Sequence, residues 1–173
     1  MTGAVSRTVV GGYRELVSSG EFELDAAQLA VAERLDGLAT GLSRWVSASS
    51  GLLGFLKRSR PPAPRGLYVH GGVGRGKTML MDLFFERVDL KRKRRSHFHR
   101  FMYEVHERLR SLQDRADPLA AVAAAVAESS RVLCFDELYV DDIADAMILG
   151  GLFRHLLERR VTLVLTSNVP PSG

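Results

Sequence analysis

Gly71-Gly72-Val73-Gly74-Arg75-Gly76-Lys77-Thr78 decides the fold, because it fits G-x-x-x-x-G-K-[ST], the pattern of a loop that cradles nucleotide phosphates. Glycine carries no Cβ, so consecutive backbone N–H groups can curl around a phosphate without a clash. Lys77 brings a point charge to the β- and γ-phosphates, and the Thr78 hydroxyl is a ligand for Mg²⁺. The flanks agree. Residues 66–70, Gly-Leu-Tyr-Val-His, read as a short buried strand, and 79–88 as a helix whose N-terminus favours an anion.

Downstream, Arg131-Val132-Leu133-Cys134-Phe135-Asp136-Glu137 is an apolar β-type run that ends in two carboxylates. Asp136 at the strand tip is expected to hold Mg²⁺ through water, since Mg²⁺ keeps most of its hydration shell. Glu137 then orients and polarises the attacking water. The plainer alternative is an acidic pair that only begins a turn. Residues 161–168, Val-Thr-Leu-Val-Leu-Thr-Ser-Asn, form another buried-looking strand with its polar residues at the C-terminal end. Ligands of open parallel sheets sit beyond that end, which brings Asn168 near the γ-phosphate, beside Lys77 and Asp136. The alternative is an asparagine in the turn before Pro170-Pro171.

Around this centre the chain alternates strand and helix. Residues 24–46 read as a helix with Val31, Leu35, Leu38, Leu42 and Trp45 on one face. The proline-rich stretch 58–65 breaks it, so residues 1–60 are expected to be an N-terminal helical extension and linker, and 61–173 the nucleotide domain. A strand is expected at 96–102 and a helix at 103–113. Asp117 and Pro118 open another helix through 128. Asp142 caps a helix over 143–160, whose apolar face uses Met147, Leu149, Leu152, Phe153, Leu156 and Leu157, with Arg159 and Arg160 at the dipole's negative end. Gly150-Gly151 inside it implies close packing against the sheet. This βαβ order predicts an α/β fold, a parallel sheet with helices on both faces.

Composition sets bounds. With 173 residues, 46% of them hydrophobic, the chain can bury one main core. A net charge of +4 is too small to argue for nucleic acid. Lys91-Arg92-Lys93-Arg94-Arg95 is the local exception, expected as a solvated loop between a helix and a strand, with an acidic or nucleic-acid partner as the alternative. The sole cysteine, Cys134, lies inside an apolar strand, reads as a core residue, and fits a reducing compartment. No apolar stretch approaches the ~20 residues of a membrane span. Residues 1–12 lack the pattern of a secretory signal, so a cytoplasmic protein is expected. His97, His99 and His106 lack a nearby cysteine or acid to complete a metal site and read as packing or hydrogen-bonding histidines.

These segments together resemble the ZapE family of AAA+ ATPases. The resemblance is carried by GGVGRGKT (71–78), SHFHRFMYEVHERL (96–109), VLCFDELYVDDIADAMILGGLF (132–153) and VTLVLTSNVPP (161–171), in order, and more loosely by the N-terminal helix. It implies a P-loop NTPase of the AAA+ type that binds and hydrolyses ATP with Mg²⁺. Residues 71–78 and Asp136 would bind, Thr78 and Asp136 would hold the metal, and Lys77, Glu137 and Asn168 would act in catalysis. It also implies homo-oligomer assembly, since an arginine from a neighbour completes such sites, and action on client proteins, including the cell-division machinery. The family pattern continues past Gly173 through a further strand, an arginine finger and a helical lid; Arg154, Arg159 and Arg160 precede the finger position. A domain incomplete at its C-terminus is therefore expected. The competing expectations are a catalytically deficient nucleotide-binding fragment, and a DNA-associated AAA+ loader suggested by the basic run.

Overall fold

Every residue of the strand Val132–Asp136 is buried, which in a pleated strand means that both faces are covered. The computed structural model, which describes residues 7–50 and 62–171, shows what covers them. The strands β1 (Leu67–His70), β2 (Lys93–His97), β3 (Val132–Asp136) and β4 (Thr162–Ser167) form one parallel sheet in the order β1-β4-β3-β2. The helices are α1 (Val9–Ser18), α2 (Ala26–Ser50), α3 (Lys77–Arg87), α4 (Phe98–Ser111), α5 (Pro118–Ser129) and α6 (Ile143–Glu158). Val132, Cys134 and Val164 meet Leu80, Met81 and Phe84 of α3, Leu35 and Leu42 of α2, and Val9 and Tyr13 of α1. On the opposite face Leu133, Phe135 and Leu163 meet α4, α5 and α6 through Phe101, Val122, Val126, Leu152 and Leu156. Each such apolar side chain contributes about 1.5–3 kcal/mol on burial.

The helices α1 and α2 thus share a core with the sheet. Residues 1–6, and 58–61 of the expected linker, lie outside the described residues. Helix α1 was not foreseen, since Gly11-Gly12 lowers its helix propensity. Tertiary contacts override this. Thr8 Oγ1 accepts from Gly11 N at 3.0 Å, and the Asp36 carboxylate accepts from Val9 N at 2.5 Å and Val10 N at 3.0 Å. A Cβ on Gly12 would lie 2.4 Å from Arg87 Nη2, so the glycine makes room for a guanidinium.

The expected caps at Asp117 and Asp142 are present. Asp117 accepts from Ala120 N at 2.9 Å, and Asp142 from Ala144 N at 2.7 Å and Asp145 N at 3.1 Å. Three expectations need correction. On α6, Leu149, Leu152 and Leu156 are buried at steps of three and four, while Met147 and Leu157 point to solvent. Its glycine pair serves a neighbouring helix and not the sheet: a Cβ on Gly151 would lie 2.6 Å from Leu119 Cδ2 of α5, and nothing crowds Gly150. The third concerns the basic run, of which only Lys91 and Arg92 lie in the loop. Strand β2 begins at Lys93 and α4 at Phe98, earlier than the expected strand at 96–102. Lys93 Nζ donates to Phe85 O at 2.6 Å and Val88 O at 2.9 Å, at the C-terminal end of α3. Arg92 donates to the Ala127 and Glu128 carbonyls at the end of α5, and Arg94 to Glu104 at 2.5 Å. Long cationic stems thus reach the negative ends of two helices.

Candidate functional site

The loop between β1 and α3 turns at Gly74 (φ 75°) and Gly76 (φ 73°), both in the left-handed region open to glycine. Gly76 is the N-cap of α3 and no side chain bonds there, so the first N–H groups of the helix are left for a ligand. The loop is braced from two sides. Gly71 N donates to Ser167 O at 3.3 Å, and Gln28 Nε2 of α2 donates to Arg75 O at 3.2 Å. A Cβ on Gly76 would lie 2.9 Å from that Gln28 nitrogen, so space as well as φ demands glycine. Lys77 Nζ donates to the carbonyls of Gly71 and Gly72, at 2.8 Å each.

Asp136 ends β3 with only 4% of its surface exposed. Its Oδ2 accepts from Arg95 Nε at 2.7 Å, and the same guanidinium also bonds the Asp82 carboxylate of α3. Burial acts to lower the pKa of Arg95, but the bonds to Asp136 and Asp82 outweigh it and the net shift is upward. Asp136 Oδ1 is buried and has no hydrogen-bond partner. A buried carboxylate oxygen left unmatched suits a hard, hydrated cation such as Mg²⁺.

At Glu137 the backbone leaves the strand for φ 56°, in the left-handed region, and the side chain is exposed. The turn is held by β4: Thr166 Oγ1 accepts from Glu137 N at 3.2 Å, Thr166 O accepts from Leu138 N at 2.7 Å, and Ser167 Oγ donates to Leu138 O at 2.6 Å. A non-glycine residue there costs about 1–2 kcal/mol, strain of the kind found at functional sites.

A cavity of ≈ 340 Å³ brings Val73, Gly74, Arg75, Gly76, Lys77 and Thr78 together with Glu137 and Asn168. Gly71 and Gly72 line an adjoining cavity that shares Arg75 and Lys77 with the first. Asp136 lines neither and lies beneath the surface, a placement suited to reaching a cation through water. Burial and the neighbouring Asp136 push the Cys134 thiol up to about 12, against the pull of Arg95 and Lys93, so it is a core group. His106 Nε2 bonds Asp145 Oδ1 at 2.7 Å, and His99 packs edge-on against Phe98.

Four residues at the site escaped the sequence reading: Arg95, Gln28, Thr166 and Ser167. Arg95 pairs with Cys134 across the parallel ladder, so its side chain shares a face with Asp136, two residues on. That register exists only once β2 is placed at Lys93. Gln28 carries no local signal, since it reaches the loop from α2 across 47 residues.

The family model of the AFG1-like ATPases matches residues 7–173. Cell division protein ZapE of Escherichia coli K12 is 58% identical over 107 residues, covering 62% of this chain and 28% of that protein. Lactation elevated protein 1 homolog B of Danio rerio is 47% identical over 124 residues, covering 65% and 25%. The chain thus spans about a quarter of the length of these relatives. Among solved structures, AMPPCP-bound DnaA from Aquifex aeolicus superposes with TM-score 0.61 at 14% identity, over 99% of this chain and 45% of DnaA. A DNA replication initiation factor gives 0.60 at 15%, over 88% and 41%. Such likenesses show the fold alone, a parallel sheet flanked by helices. The sequence match shows the lineage: the chain belongs to the AFG1-like ATPase family.

Proposed function

We propose that this chain binds ATP with Mg²⁺ and hydrolyses it between β- and γ-phosphates. The observation that carries the reading is the convergence of residues 73–78, Glu137 and Asn168 on one cavity, together with a buried Asp136 oxygen that lacks a partner at the neighbouring strand end. The loop's N–H groups and the N-terminus of α3 bind the phosphates, and Lys77 exchanges its two carbonyl partners for phosphate oxygens. Thr78 and Asp136 would hold Mg²⁺, which would supply positive charge to offset that of the phosphate oxygens. Glu137 orients a water toward the γ-phosphorus and takes its proton, while Asn168 bonds a γ-oxygen. The bond from the γ-phosphorus to the bridging oxygen breaks, giving ADP and phosphate.

We further read the protein as a cytoplasmic homo-oligomer acting on client proteins. No helix among the described residues is long and apolar enough to cross a membrane. The relative named for cell division, similar over 107 residues, supports division proteins as the client class. Lys77→Ala tests the core of the proposal by calorimetry with ATP·Mg²⁺. Affinity is expected to fall about tenfold or more, the scale of one charge-assisted bond. The wild-type melting temperature should rise with ATP·Mg²⁺ because the ligand binds only the folded state. Equal affinities for wild type and variant would remove the reading.

A further inference from the structure

Tyr68 of β1 and Val169, the residue after Asn168, stand 101 positions apart in sequence and are joined by one hydrogen bond, in which the phenol Oη donates to Val169 O at 2.7 Å. The register of the sheet does not demand this bond. Tyr68 pairs with Leu165, and four extended residues beyond Leu165 would carry Val169 about 13 Å along the strand, out of reach of a phenol. The bond forms because the chain bends at Asn168 and Val169 as it leaves β4. Tyr68 lines neither the phosphate-loop cavity nor the adjoining one, so any part it has in the site is played through what it holds.

What it holds is the backbone beyond Asn168, an exposed residue on the wall of the phosphate-loop cavity. The near side is tied already. Ser167 O accepts from Gly71 N at 3.3 Å, and Ser167 Oγ donates to Leu138 O at 2.6 Å and accepts from Val169 N at 3.1 Å. These bonds fix where the bend starts. The phenol fixes where it ends, and Pro170 narrows Val169 further, since helical backbone is disfavoured before a proline. Side chains adopt staggered rotamers relative to their own backbone, so a backbone held on both sides aims the Asn168 amide in a set direction. A contact misplaced by about 1 Å loses much of its value.

We propose that Tyr68 is a positioning residue for Asn168, and that its hydroxyl sets how strongly the site discriminates a nucleoside triphosphate from a diphosphate. The inference rests on the reading of Asn168 as the group that bonds a γ-oxygen. A diphosphate has no such oxygen, so the benefit of a well-aimed Asn168 appears with the triphosphate alone. The hydroxyl is separable from the fold, because Val169 is only half-buried and water replaces the phenol at its carbonyl in Tyr68→Phe.

The test is a double-mutant cycle on the full 173-residue chain, made of wild type, Tyr68→Phe, Asn168→Ala and the double variant. Calorimetry in Mg²⁺ compares ADP with an ATP analogue that carries a methylene between the β- and γ-phosphorus and is not hydrolysed. Tyr68→Phe should weaken the triphosphate analogue by about fivefold and leave ADP unchanged. In the Asn168→Ala background, where the triphosphate preference is already reduced, it should change neither. An effect on both nucleotides alike, no effect on either, or an undiminished effect in the Asn168→Ala background overturns the assignment. Those outcomes leave the phosphate site standing. An Asn168→Ala protein with the full triphosphate preference of wild type would remove the reading of Asn168 and the role of Tyr68 together.

Discussion

Asp136 and Glu137 are neighbours in sequence and opposite in circumstance. Asp136 ends a strand buried on both faces, tied through one oxygen to Arg95 and with the other oxygen unmatched. One residue later the backbone enters the left-handed region and Glu137 stands exposed in the phosphate-loop cavity. The strand tip therefore yields two carboxylates of different chemistry from adjacent positions, one fixed and one presented to solvent. Environment sets the two carboxylates apart. The agent of the difference is β4, whose Thr166 holds the peptides of both Glu137 and Leu138.

The contrast is sharpest in turnover. Glu137→Gln keeps the shape and loses the base, so ATP turnover at saturation should drop by about a hundredfold or more with binding intact. Unchanged turnover would mean that another group handles the water and that the exposed carboxylate is incidental. Next in size is Arg95→Met, which strips the buried carboxylate of its cation and leaves Glu137 untouched. Removing one partner of a buried pair costs about 3 kcal/mol, read as a lower denaturation midpoint in urea. A change below about 0.5 kcal/mol would show that Asp136 does not depend on Arg95. The smallest expected effect is on stability, where Glu137→Gly should add up to about 1 kcal/mol, since glycine accepts positive φ without the Cβ penalty. A less stable glycine variant would show that the turn is not strained.

How far the sequence announced this arrangement differed by element. β3 and β4 were plain because buried parallel strands are unbroken apolar runs, and the loop was plain because its glycines and lysine fit a known local pattern. β2 was misread because an edge strand needs no apolar run. Its lysine and arginines follow helix-end carbonyls and carboxylates that only the fold brings near. Using those cations internally also removes the local reason to expect a nucleic-acid surface there. Met147 and Leu157 failed as core residues because apolar identity was counted without fixing the phase of the helix. Arg95 and Gln28 were invisible for another reason: each acts at a distance along the chain, and a single sequence carries no record of such pairings.

The bonds of Lys77 to Gly71 and Gly72 make the resting loop its own stopper. The ammonium is the clasp that holds the loop's first turn. Under the proposed function a phosphate would have to displace two carbonyls, and its advantage would be only the excess of a charged oxygen over a neutral one. A weakly charged anion has little such excess, so the clasp would favour polyphosphate over small anions. Lys77→Ala would remove stopper and proposed receptor together, so the roughly tenfold loss expected there is a net figure, the phosphate contact less the two carbonyl bonds it displaces.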